Sequence, residues 1–115
     1  MYSYDETESI LTINENVGEC YDQKDKCSYP WDEYKGKVKK IIINENITQI
    51  HKRAFTNCPN LTTVELPETI ASIEDEAFAN CISLKKLKLP KNCKYDAERI
   101  NAFYSSKGPI DITLY

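Results

Sequence analysis

The sequence predicts a short repeat solenoid of strand-bearing coils behind a dedicated N-terminal cap, on three observations. First, a 23-residue self-match runs through the middle of the chain: Leu61-Thr-Thr-Val64-Glu-Leu66-Pro67 returns as Leu84-Lys-Lys-Leu87-Lys-Leu89-Pro90. Second, the same frame read backwards aligns Val38, Ile41, Ile43, Ile47, Ile50 and Ala54-Phe55 with Leu61, Val64, Leu66, Ile70, Ile73 and Ala77-Phe78. Third, residues 1–37 do not fit the frame, yet they bring Trp31 and Tyr34 to its open end. A segment this short cannot bury its own apolar face. Equal spacing over consecutive segments therefore implies that each one stacks on the next.

The expected division follows the repeats: one structural domain, with a capping segment at 1–37 and repeats at 38–60, 61–83 and 84–108, then a terminal strand at 109–115. In the cap, Ile10-Leu-Thr-Ile13 reads as a strand, followed by a turn, a polar loop and Tyr29-Pro-Trp31-Asp-Glu-Tyr34. Trp31 and Tyr34 are expected to pack on the first repeat, where burying an aromatic contributes on the order of 2–3 kcal/mol. Each repeat opens with a strand whose alternation turns Ile41 and Ile43, Val64 and Leu66, or Leu87 and Leu89 to one side. Pro67 and Pro90, which lack an amide hydrogen, suit the strand end. Asn46, Thr69 and Asn92 come next, side chains that can hydrogen-bond the backbone of a bend. The Ile pairs return the chain along a second side. The Ala-Phe segment is expected to make a short helical turn that plugs the core with Phe55 or Phe78. Two extra residues after Asn92 bring Ala102-Phe103 onto Ala77-Phe78 and make Ile110-Asp-Ile112-Thr-Leu114 the fourth strand. The outer edge of that strand allows pairing with a second copy as a homodimer.

Length and composition fit a single globular unit, with 115 residues, 41% of them apolar and 29% charged. No run approaches the roughly 18 apolar residues of a membrane span. The start, Met1-Tyr-Ser-Tyr-Asp-Glu6, is not that of a signal peptide. The expected location is cytoplasmic if Met1 is the native start, and secreted or at the cell surface if an export signal has been removed. Net charge is −3, spread unevenly: residues 1–36 hold nine acidic and three basic side chains, residues 37–115 nine acidic and twelve basic. No basic, aromatic-interleaved stripe points to nucleic acid.

Of five cysteines, Cys58, Cys81 and Cys93 fall on core positions of the frame. Cys20 and Cys27 lie in the acidic loop, bridged in an oxidising compartment or free in a reducing one. The single histidine, His51, reads as a surface residue, and no metal or cofactor is expected. Catalysis is disfavoured too. Only three glycines are present, and neither a phosphate loop, a His-Glu-x-x-His helix nor a nucleophile elbow occurs. Asn46-Ile-Thr48 and Asn60-Leu-Thr62 match glycosylation sequons, relevant only to a secreted eukaryotic chain.

The run from Leu61 to Cys81 resembles the BspA-like class of leucine-rich repeats. The segment Leu11-Thr-Ile13, Pro30-Trp31-x-x-Tyr34 and Val38-Lys-Lys-Ile41-Ile-Ile43 is similar to that family's entry unit. The likeness covers most of residues 10–93. The chain departs from it at Lys52 and Glu74, where the family often has glycine, and at Cys93-Lys-Tyr-Asp96. The resemblance implies an α/β leucine-rich-repeat fold: a right-handed solenoid with a parallel sheet on one face, short strands or helical turns opposite, and a β capping unit. Family members are commonly surface or secreted proteins that attach to host molecules or other cells.

Outward strand positions should form columns across the sheet, about 4.8 Å apart per step. They read Lys40, Thr63, Lys86, Asp111; then Ile42, Glu65, Lys88, Thr113; then Asn44, Pro67, Pro90, Tyr115. This face is the first candidate surface for a protein partner, with Glu65 beside Lys88 and Lys86 beside Asp111 as pairs able to neutralise each other. The acidic loop from Glu15 to Glu33, with Tyr21 and Tyr29, is the second. Two functions follow: a non-catalytic protein–protein interaction module of adhesion type, or a small intracellular inhibitor, encoded by a phage or mobile element, that blocks a host or defence complex.

Overall fold

The computed structural model describes residues 2–15, 29–95 and 111–115. The Cys20/Cys27 pair, Tyr21 and most of the acidic loop, Ile110 and Ala102-Phe103 lie outside the described residues.

Strands appear where the alternating pattern places them, and one more, which the sequence did not announce, precedes them at the N-terminal side. The first strand, β1 (Tyr2–Asp5), runs antiparallel to β2 (Ile10–Ile13). Then β2 pairs in parallel with β3 (Lys40–Ile43), and β3 with β5 (Thr63–Glu65), giving the order β1-β2-β3-β5. Within β3, Ile41 and Ile43 are buried while Lys40 and Ile42 face outward, as a two-residue period requires. A second ladder joins β4 (Gln49–Ile50) and β6 (Ser72–Ile73) in parallel and continues as a single bridge from Ser72 to Lys94. Finally β7 (Lys86–Leu89) pairs in parallel with β8 (Asp111–Leu114) in a sheet of its own.

The leucine-rich-repeat expectation thus appears as a small, β-rich unit. Its helical part does not. Among the described residues the one helical segment is a 3-10 turn at Asp32–Tyr34, in the cap. Ala54-Phe55 and Ala77-Phe78 lie in turns, and the backbone explains why. A helix returns each amide to the carbonyl four residues earlier. Here the amides of Arg53, Phe55 and Asn57 donate instead to Asp75, Ala77 and Ala79 of the next repeat, at 3.2, 2.9 and 2.7 Å. Arg53, Asn57, Glu76 and Asn80 take positive φ between 56° and 59°, which breaks any helical run. Such residues cost about 1–2 kcal/mol each, and side chains offset part of that. Asn80 Nδ2 donates to Asn57 Oδ1 at 3.0 Å, and Arg53 Nε lies 3.1 Å from Glu76 Oε2.

The core is built from the inward columns. Val38 and Leu61 are 0% exposed and Leu84 3%; Phe55 is 2% exposed and Phe78 0%. The expected burial of Cys58, Cys81 and Cys93 also holds, and all three are free thiols. Trp31, 1% exposed, extends the phenylalanine column into the cap. Ring centroids step from Tyr29 to Trp31 at 5.1 Å, from Trp31 to Phe55 at 5.5 Å and from Phe55 to Phe78 at 5.7 Å, all stacked. Two polar tips lock the cap to the first repeat: Trp31 Nε1 donates to the Ala54 carbonyl at 2.8 Å and Tyr29 Oη to that of Lys52 at 2.6 Å. Outside this column Tyr34 is half-buried and stacks on Tyr4 at 4.3 Å.

Trp31→Ala should lower unfolding free energy by about 3–5 kcal/mol, which a small domain can scarcely absorb. Trp31→Phe keeps the stacking, loses only the bond to Ala54, and should cost about 1–3 kcal/mol. Urea unfolding midpoints of the two variants check the order.

Burial first, then the charges of Glu74 and Asp32, push the Tyr29 phenol from its usual 10.0 up to about 12. Because the folded value is the higher one, the unfolded chain releases this proton first as pH rises. The contribution to stability is complete below pH 10 and is lost towards pH 12, an added loss of about 2 kcal/mol. Tyr29→Phe should be less stable than the parent at pH 8 but lack that extra alkaline decline, as measured by urea titrations at stepped pH.

Candidate binding surface

The outward positions fall into two groups separated by a seam. On the cap side, Ile10, Lys40 and Thr63 stand in one row, and Thr12, Ile42 and Glu65 in the next. On the far side, Lys86 is in register with Asp111 and Lys88 with Thr113. The first two expected columns are therefore correct within each sheet and interrupted between β5 and β7, which do not pair; in the third, Pro67 is half-buried and Pro90 is buried instead of facing outward.

Proline accounts for part of the break. At this end of the strands the Asn44 amide donates to the Ile13 carbonyl at 3.0 Å, and the Tyr115 amide to Leu89 at 2.9 Å. Pro90 holds the equivalent place beyond Leu66 and has no hydrogen to give. The Leu66 carbonyl is taken instead by Tyr115 Oη at 2.7 Å, so the side chain of Tyr115 reaches back across the seam. Val64 and Leu66, on inward columns, are only half-buried, whereas Leu87 is 1% and Leu89 0% exposed. A groove of about 380 Å³ opens there, lined by Val64, Glu65, Leu66, Lys88 and Tyr115. Glu68, Thr69, Pro90, Lys91 and Asn92 line a second hollow of about 400 Å³, which also reaches Tyr115. Burial, followed by the charge of Glu68, raises the Tyr115 phenol above its usual range, so it stays protonated as a donor.

Thr63, Glu65, Lys86, Lys88, Asp111, Thr113 and Tyr115 are exposed; Lys40, Ile42 and Asn44 are half-buried. Asn44 is tied inward, its Nδ2 donating to Asn14 Oδ1. The expected Glu65–Lys88 pair is not formed. Glu65 Oε1 lies 3.0 Å from Lys40 Nζ, because the paired strand β3 holds Lys40 beside it while the seam sets Lys88 apart. Lys86 and Asp111 share a register position without an ion pair among the described residues. Val64 and Leu66 did not figure as surface residues in the sequence reading. The signal that could have exposed them is the repeated proline, Pro67 and Pro90, at strand ends meant to be neighbours.

His51 is not a surface residue. Its side chain is 11% exposed, with Nδ1 3.2 Å from Glu74 Oε1, which also accepts the Lys52 amide at 3.0 Å. With Tyr29, Trp31, Ile47 and Phe55 it lines a partly open pocket of about 20 Å³, room for about one water. Core side chains make most of its wall, and the strand face makes none of it. Among the described residues no cluster of three or more His, Cys, Asp or Glu is placed to hold a metal. Cys81 Sγ donates to the Phe55 carbonyl at 3.1 Å. The hydrogen bond with Cys81, together with burial, pushes the Cys58 thiol well up, away from the thiolate a nucleophile needs.

The family model described as the BspA type leucine rich repeat region (6 copies) matches residues 33–114. No curated protein and no solved structure matches the chain. No helix among the described residues is long and apolar enough to cross a membrane.

Tyr115→Phe removes the donor to Leu66 and should cost about 0.5–1.5 kcal/mol. Amide exchange at Tyr115 and Lys91, bonded to Leu89 and Tyr115, should quicken more than exchange in β3; NMR-detected hydrogen exchange checks this.

Proposed function

This chain belongs to the BspA-type leucine-rich repeat family, and we propose that it is a non-catalytic interaction module that binds a protein partner through the outward face of its strands. The observation carrying this reading is the exposed row of Thr63, Glu65, Lys86, Lys88, Asp111 and Thr113 on hydrogen-bonded strands. Side chains fixed on a stacked ladder lose little further freedom on binding, which favours recognition over chemistry. The family's repeats are generally an interaction fold, and among the described residues the thiols of Cys58, Cys81 and Cys93 are buried and His51 lies against Glu74.

Under this proposal residues 1–37 act as a cap and 38–115 as the presenting repeats, wound as a right-handed solenoid. The cap offers a second contact of opposite sign, since Asp5, Glu6, Glu8, Asp32 and Glu33 are all exposed. Contacts at both ends would orient a partner along the strand face.

Immobilised protein presented to native lysate should retain a partner. Adding Thr63→Arg and Thr113→Arg should weaken retention at least tenfold, while Asp32→Lys with Glu33→Lys should have the smaller effect. Equal capture by the strand-face variant would reject this face as the binding surface.

A further inference from the structure

The third repeat concentrates positive charge where the groove opens. Lys85, Lys86, Lys88, Lys91 and Lys94 fall within ten residues, and all five are exposed. None forms an ion pair with a described residue. The carboxylate nearest in sequence logic, Glu65, is held by Lys40 on the other side of the seam. Lys88 thus lines an open groove without an ion pair to any described residue, above the half-buried apolar side chains of Val64 and Leu66. Tyr115 closes one wall, fixed by its hydroxyl on the Leu66 carbonyl at 2.7 Å.

We infer that this groove receives an extended acidic segment of a partner protein, with one apolar side chain on Val64 and Leu66 and a flanking carboxylate on Lys88. Lys86 and Lys91, exposed near the groove, supply charge that attracts the segment over a longer range. The inference rests on the strand face being the binding surface and names the chemistry that face selects. A nucleic acid fits less well. Glu65 lines the same groove, Lys88 is the one lysine lining it among the described residues, and the apolar floor offers a phosphate nothing. The whole chain is acidic besides, with a net charge of −3.

The test is fluorescence anisotropy with a labelled Glu-Leu-Glu-Leu-Glu peptide. Binding should weaken as salt rises from about 50 mM to about 500 mM, because the Debye length shrinks. Lys88→Glu should lower affinity about tenfold, with Lys39→Glu, on the cap side, nearly neutral. Replacing the two peptide leucines by serine at unchanged charge should cost about fivefold or more. The inference is overturned if Lys88→Glu binds as the parent does, if the serine peptide binds equally, or if the parent ignores the peptide. Tighter binding of a single-stranded oligonucleotide of equal charge also overturns it. The two readings fail separately: loss of lysate capture by the Thr63/Thr113 variant, with no peptide binding, keeps the strand face and rejects the acidic segment.

Discussion

Backbone hydrogen bonds in this protein run mostly to the neighbouring repeat, and the rest of the architecture depends on that constraint. A strand amide, a turn amide and a short return strand each find their acceptor about 23 residues away, as Asn57 finds Ala79 and Ala71 finds Thr48. A repeat standing alone would leave those groups open and its apolar columns wet. Stability is therefore a property of stacked neighbours. The same demand sets the turns. Arg53 and Asn57 accept a left-handed backbone, and their amides, with that of Phe55 between them, reach the adjacent repeat.

Stacking also creates the need for an end. The first repeat would present Phe55 and the open side of β3 to water. The cap meets both, with β2 pairing along β3 and Trp31 lying on Phe55. Trp31 does for the first repeat what Phe55 does for the second, yet it brings a polar tip that bonds the Ala54 carbonyl. Together with Tyr29 Oη on Lys52, that bond fixes where the cap sits and not only that it covers.

Where the stacking loosens, a surface gains features. Between β5 and β7 the strands do not pair, two inward side chains are half-exposed, and Lys88 forms no ion pair with a described residue. A continuous ladder would have been flatter and more self-neutralising. The break makes a recess with an apolar floor and a cationic rim, a combination that discriminates among partners better than charge alone.

Much of this was legible in the residues. The 23-residue spacing identified the inward columns, so the burial of Ile41, Leu61, Phe78 and Cys81 follows from period and size. Trp31 was readable as a lid because an apolar end requires one. The strand face was readable too, since alternation assigns sides. Local pattern says which way a side chain points, and it says so independently of what lies opposite. Hydrogen-bond destinations are different, because they depend on partners far along the chain. The turns in place of helices, the inward His51, the Lys40–Glu65 pair and Tyr115 reaching to Leu66 were decided only when distant segments met. Periodicity settled which residues this protein hides; the fit between one repeat and the next settled what it leaves open.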